Sequence, residues 1–257
     1  MTPDWTPLDR ELAQWASSGM TLPIWWRDDD ATTTGKPLDR LTGMAEAHGI
    51  PVHLAVIPQA ATPGLAAHVL GSNHLIAAVH GWAHQNHAPV GEKKAEFGGH
   101  RRLAEMQQEV AEGLKRLTRL FGGRLALMFV PPWNRISPQV VAGLQGLGMT
   151  TLSTFTPRRA PLAAAGLEQI NTHLDPINWK GGRGLVDPER LIAGLVRQLE
   201  DRRYGRADNG EPYGILTHHL VHDAAIWGFT DALLSRLMAG PVRVWAALDP
   251  VSKDITK

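Results

Sequence analysis

Three consecutive carboxylates, Asp28, Asp29 and Asp30, close the apolar run that starts at Leu22. Ionised side by side they repel one another unless they share a proton or a cation, and a divalent metal is a compensation that also supplies chemistry. Aspartate is equally at home as a helix N-cap or in an Asx turn, so the triplet by itself leaves both readings open. The second group is His80-Gly81-Trp82-Ala83-His84, with His87 three residues on. Histidines at i and i+4 can face one side of a helical turn as neutral metal ligands. The chain has no cysteine, which removes thiolate ligands, cysteine nucleophiles and disulfides together and leaves His, Asp and Glu as metal donors. Two histidines and one carboxylate suit zinc or a similar borderline ion and keep a position open for water.

These groups need elements to bring them together. Apolar, β-rich runs at Leu22–Arg27, Val52–Ile57, Leu75–Val79, Leu125–Val130, Thr150–Phe155, Leu167–His173, Gly214–Thr217 and Val242–Leu248 read as eight strands. Helical patterns lie between them at Leu38–His48, His100–Leu120, Pro138–Leu147, Pro188–Arg202 and Ala224–Met238. Strand and helix in alternation imply parallel pairing with right-handed crossovers, hence an α/β fold. The polar clusters follow the strands: the Asp triplet the first, His80 and His84 the third, Pro131 to Arg135 the fourth, Asp175 the sixth and His218 the seventh. In parallel β/α folds the C-terminal strand ends carry the active-site loops, so these groups should converge on one face. Asp175-Pro176 also reads as a plain turn closing a strand, and His222 beside Asp223 as a helix-start pair at the surface.

The 257 residues show no repeat, low-complexity tract or linker, and residues 1–257 read as a single domain. Lys plus Arg at 26 against Asp plus Glu at 25 gives a formal charge of +1, which offers no global field for nucleic acid or an anionic membrane. Residues 1–20 lack the apolar core of a signal peptide, and nowhere do about 20 apolar residues run together, so a cytoplasmic location is expected. Oligomeric state leaves no mark. Of nine tryptophans, Trp25 and Trp26 suit the core, whereas Trp82, Trp133 and Trp179 sit in the polar loops, where an indole can pack on the apolar face of a sugar.

Taken in order, Asp29-Asp30 after a strand, His80-x-x-x-His84, Pro131-Pro132-Trp133 and Leu216-x-His218 resemble the motifs of the polysaccharide deacetylases, the NodB-homology family of carbohydrate esterases. The run His80 to His84 is similar to the His-Thr-Trp-Ser-His form common there. The resemblance covers about Leu22 to His218. It implies a distorted (β/α)7 barrel, TIM-barrel-like, one strand fewer than the eight read above. It implies Asp29 as general base, Asp30, His80 and His84 as ligands of one divalent metal, with zinc first and cobalt or nickel next, and His218 as general acid. A one-residue slip would make Asp28 the base and Asp29 the ligand, and His219 and His222 compete with His218. Trp82, Pro132, Trp133, Asn134, Arg135, Asp175 and Trp179 would bind substrate.

Two positions depart from the family pattern. Val130 stands where an arginine usually orients the base, with Arg135 as a possible replacement from the other side of the loop, and Asn178 stands where a second Asp is expected after Asp175, in a segment that pairs with the catalytic histidine in the family. The resemblance implies removal of an acetyl group from an amino sugar. An enzyme without a signal peptide would meet a small N-acetylated sugar or a glycan precursor. The alternatives are a cyclic amide or ureide hydrolase on the same fold, and a carbohydrate-binding relative without activity. An ionised Asp29 and a protonated His218 working together would give a bell-shaped pH profile.

Overall fold

In the computed structural model, which describes residues 3–247, the first strand sets the architecture. β1 (Leu22–Ala31) is buried along almost its whole length, as a parallel strand covered on both faces must be. Its even and odd residues take different jobs. Trp25 points into the barrel with Ala55, Ile76, Ala78, Met128, Val130 and Ile170, while Ile24 and Trp26 face the helical layer.

Around β1 run β2 (Val52–Val56), β3 (Leu75–His80), β4 (Leu125–Val130), β5 (Thr151–Leu152), β6 (Leu162–Ala164), β7 (Leu167–Gln169), β8 (Tyr213–Thr217) and β9 (Val242–Val244). The order is β6-β7-β5-β4-β3-β2-β1-β8, with β9 pairing β1. All these pairings are parallel except β6 with β7. A parallel bridge from Leu174 to Ile215 joins the segment after β7 to β8 and closes the ring. Seven parallel strands therefore form a distorted barrel. The eighth run of the sequence reading becomes β9, which pairs with β1 only at its lower end, Leu22 to Ile24; the Leu248 end of that run, and both ends of the 1–257 domain, lie outside the described residues.

Two strands are shorter than their apolar runs. Beyond β5, the Asn171 side chain takes the Thr154 N–H at 2.8 Å in place of a carbonyl, so the runs Thr150–Phe155 and Leu167–His173 pair only in pieces. The outer layer holds α1 (Thr6–Ser17), α2 (Lys36–His48), α3 (Pro63–Leu70), α4 (Leu103–Phe121), α5 (Pro138–Leu144), α6 (Pro188–Arg203) and α7 (Ala224–Ala239). Thr62, Ser137, Asp187 and Asp223 cap α3, α5, α6 and α7. The sequence reading passed over α1 and α3. The stripe Leu8, Leu12, Trp15 that buries α1 was nevertheless legible, and Arg203 of α6 grips Glu11 of that helix through two 2.8 Å bonds. Among the described residues no helix is long and apolar enough to cross a membrane.

Candidate active site

Period-2 alternation on β1 would put Asp28 and Asp30 on one face and Asp29 on the other. The strand avoids this with a bulge. Its register against β2 shifts between Asp28 and Ala31, and Asp30 takes φ +74°. As a result Asp29 and Asp30 both open into the mouth of the barrel, while Asp28 stays behind.

The three carboxylates have separate partners. Asp28 is buried, accepting from Thr217 Oγ1 at 2.6 Å, the His219 N–H at 2.9 Å and His219 Nδ1 at 2.5 Å. Burial works against its charge, but the His219 imidazole and these bonds hold its carboxyl below the ordinary range, and Asp28 in turn raises His219 against the effect of burial. Asp29 lies against Arg27, with Nε 2.9 Å from Oδ1 and Nη2 3.0 Å from Oδ2. Asp30 Oδ1 is 3.1 Å from His80 Nε2 and 3.2 Å from His84 Nε2. These separations give Asp28 to His219 and Asp30 to the histidine pair, which is the first of the two registers weighed above.

His80 ends β3, and its Nδ1 donates to the Val130 carbonyl at 2.9 Å. That bond fixes Nδ1 as a donor and leaves Nε2 facing Asp30, where it donates to the carboxylate at 3.1 Å when no metal is bound and would offer its lone pair to a metal ion in place of that proton. One donor atom each from Asp30, His80 and His84 lies within 4.8 Å of the others. The trio therefore fits a divalent ion such as zinc by donor type, tautomer and spacing. Without one, burial raises the Asp30 carboxyl, yet the His80 bond and nearby imidazoles pull it well below the usual range. His80 is pushed down by burial and up, with the larger result, by Asp30 and Asp29.

His80 and His84 do not share a helical turn. The chain leaves β3 through Gly81 at φ +56° and reaches His84 at φ +55°, and the two rings meet 5.2 Å apart across a loop. A Cβ on Gly81 would sit 2.2 Å from Glu96 Oε2 and 2.6 Å from Pro132, so the turn requires glycine. Glu96, buried, organises that loop by accepting from the N–H groups of Trp82 at 3.2 Å, Ala83 at 2.8 Å and Gln85 at 3.3 Å. No local motif in the sequence announces Glu96, whose role depends on three N–H groups brought to it by the fold.

The sequence is equally silent on Arg27. Completely buried, it also donates to Ser153 Oγ at 2.7 Å and Asn134 Oδ1 at 2.7 Å, so it ties β1, the residue just past β5 and the loop after β4 to the candidate base. Arg135 does not take this place: its Nη1 donates to the Lys94 carbonyl at 2.8 Å. The Val130 side chain fills the barrel interior, and its carbonyl serves His80.

His218, just past β8, brings Nε2 to 4.0 Å from Asp29 Oδ2, with its Nδ1 buried and unpartnered among the described residues. The Trp179 indole packs edge-on against its ring at 4.7 Å, and Asp175 Oδ2 accepts from Trp179 Nε1 at 2.7 Å. Asp175 thus reaches His218 through a tryptophan instead of pairing with it. The neighbouring histidines point elsewhere, His219 to Asp28 and His222 Nε2 to the His218 N–H at 3.3 Å. Asp223 caps α7, as a helix-start residue should.

A cleft of about 740 Å³ gathers Asp29, Asp30, His80, His84, Trp133, Asn134, Arg135, Asp175, Trp179 and His218. Trp133, at φ +56°, packs on His84 at 4.3 Å. Pro132 is buried under Gly81 and Trp82 borders a separate groove with Arg101 and Glu109, so neither lines the cleft. A larger groove of about 850 Å³ between α1 and α7 has Asp9 paired with Arg236 and no histidine, and offers no comparable chemistry.

No family model and no curated protein matches the sequence. Solved structures do match the fold. A protein from Mycobacterium smegmatis assigned as a polysaccharide deacetylase superposes with a TM-score of 0.62 at 15% identity over 86% of each chain. A family 4 carbohydrate esterase from Streptomyces lividans, in complex with acetate, gives 0.57 at 13% over 87% of this chain and 91% of its own. A family 4 acetyl xylan esterase from Clostridium thermocellum, in complex with a cobalt ion, gives 0.55 at 12% over 87% of each. The chain has the distorted β/α barrel of the polysaccharide deacetylases and family 4 carbohydrate esterases, and at these identities the likeness is one of fold.

Proposed function

We propose that the protein is a metal-dependent deacylase that removes an acetyl group from an N-acetylated sugar or glycan precursor. The observation that carries this reading is the convergence of Asp30, His80 and His84 beside an arginine-held Asp29, with His218 across the same cleft. When bound, a divalent ion there, zinc first among the candidates, supplies Lewis-acid polarisation and activates water.

The chain's own groups divide the remaining work. Asp29, its carboxylate fixed by Arg27, takes the proton from the attacking water, and fixing it in advance removes an orientational cost from the reaction. A backbone N–H near Trp133 is the group we assign to the oxygen that gains charge. His218, held by the edge of Trp179, gives a proton to the departing nitrogen. Trp133, packed on His84, and Trp179, packed on His218, offer indole surface to a sugar ring.

Acetate release from a panel of short N-acetylated sugars by metal-loaded protein tests the reading, with Asp29→Asn as the comparison. Release that is lost in the variant while bound metal is kept is the expected result. A protein that holds one ion per chain and releases acetate from no amide would leave the carbohydrate-binding or cyclic amide alternatives.

A further inference from the structure

Three cations line the cleft outside the groups assigned to the acyl chemistry. Lys94 comes from the segment between β3 and α4, Arg135 from the loop after β4, and Arg183 from the loop before α6. Arg27, Arg101, Arg158, Arg203 and Arg236 each sit against a carboxylate; among the described residues these three form no such pair. The carboxylates of the cleft are otherwise engaged: Asp29 by Arg27, Asp30 by the two histidines, and Asp175 by Trp179 Nε1 and the Ile177 N–H.

Arg135 Nη1 donates to the Lys94 carbonyl at 2.8 Å, which ties the guanidinium to the segment that carries Lys94. Lys94 Nζ is 6.0 Å from the centre of the Trp133 ring, which itself packs on His84. The charge therefore sits one indole away from the metal ligands. The Asn178 carbonyl accepts from the Arg183 N–H at 3.0 Å in the turn that follows Trp179. Guanidinium groups suit carboxylate and phosphate oxygens through paired N–H donors.

We propose that the natural substrate carries an anionic group, a phosphate or a carboxylate, next to the acylamino group it loses, and that Lys94, Arg135 and Arg183 bind that group. This rests on the deacylase reading of the same cleft. The test compares N-acetylglucosamine with its phosphate ester and with N-acetylmuramic acid, measuring kcat/KM and, separately, equilibrium binding by calorimetry to the metal-loaded protein.

The anionic sugars should be preferred about tenfold or more, mainly through KM and binding, with the preference shrinking as salt rises. Arg135→Gln and Arg183→Gln should each bring the anionic sugars down toward the neutral one. The better of the two anions identifies phosphate or carboxylate as the recognised group. Equal or better use of the neutral sugar, or an undiminished preference in both variants, overturns the proposal. If no sugar releases acetate, calorimetry decides: tighter anion binding that Arg135→Gln abolishes keeps the anion site while the deacylase reading falls, and equal or absent binding removes both.

Discussion

His53 on β2 and His80 on β3 are both completely or nearly buried, and both anchor Nδ1 to a carbonyl, Trp26 at 3.1 Å and Val130 at 2.9 Å. They differ at the other nitrogen. His53 Nε2 accepts the Ala247 N–H at 3.0 Å between Trp25 and Trp245, at the closed lower end of the barrel. His80 Nε2 meets Asp30 and, through it, His84 at the open end. One ring is saturated by two backbone groups, and the other faces a carboxylate, where a metal ion would replace the Nε2 proton. A buried histidine becomes a ligand through what stands at its second nitrogen, and neither burial nor residue type decides it.

The largest expected effect lies at the open end. Asp30→Ala or His80→Ala should abolish stoichiometric metal and lower acetate release by about 10³-fold or more, whereas His53→Gln should keep its metal. A His53→Gln protein that loses metal to the same degree would erase the distinction between the two rings. Next comes Arg27→Ala, which strands the buried Asp29 charge and should cost on the order of 3–5 kcal/mol of stability in urea unfolding. Activity should fall with it, and Arg27→Lys should recover only part of either, since an ammonium lacks the two-pronged geometry.

The closed end has its own signature. Burial lowers the His53 pKa from 6.5 to about 4, because both ring nitrogens are satisfied only in the neutral form. Below pH 6.5 the unfolded chain takes up a proton that the native ring refuses, so the stability His53 supports at neutral pH is lost as pH falls toward 4. The loss should approach roughly 3 kcal/mol over that interval, with His222, lowered to about 4 mainly by burial, adding to it. Unfolding measured across this range should show a shallower slope in His53→Gln; an unchanged slope would remove His53 from the account. The smallest effect is expected at Glu96→Gln, which weakens the carboxylate that gathers three N–H groups beneath the His84 loop and should reduce metal affinity by about tenfold.

The sequence carried the alternation of strands and helices, and the placement of polar clusters at strand ends, because hydrophobic period and strand polarity are local properties. It did not carry the bulge at Asp30, which alone turns two neighbouring aspartates to one face. Nor could the histidine spacing show a loop in place of a helical turn, since that choice depends on Gly81 meeting Glu96 and Pro132 in space. Arg27 was hidden in a strand where a buried charge is unexpected until Asp29, Ser153 and Asn134 are seen around it. The resemblance leads one to look for an arginine in the loop after β4, where Val130 stands; Arg27 reaches Asp29 from β1 instead, and residue-by-residue matching of one loop does not find a side chain that arrives from elsewhere.

We propose that Asp30, His80 and His84 form a metal site at the open end of the barrel. Its most direct test is the number of ions bound per chain after reconstitution with zinc and, separately, with cobalt, in the parent protein, His80→Ala and His53→Gln. One ion per chain is expected in the parent and in His53→Gln, and none above background in His80→Ala. No stoichiometric ion in the parent, or an undiminished ion in His80→Ala, would contradict it.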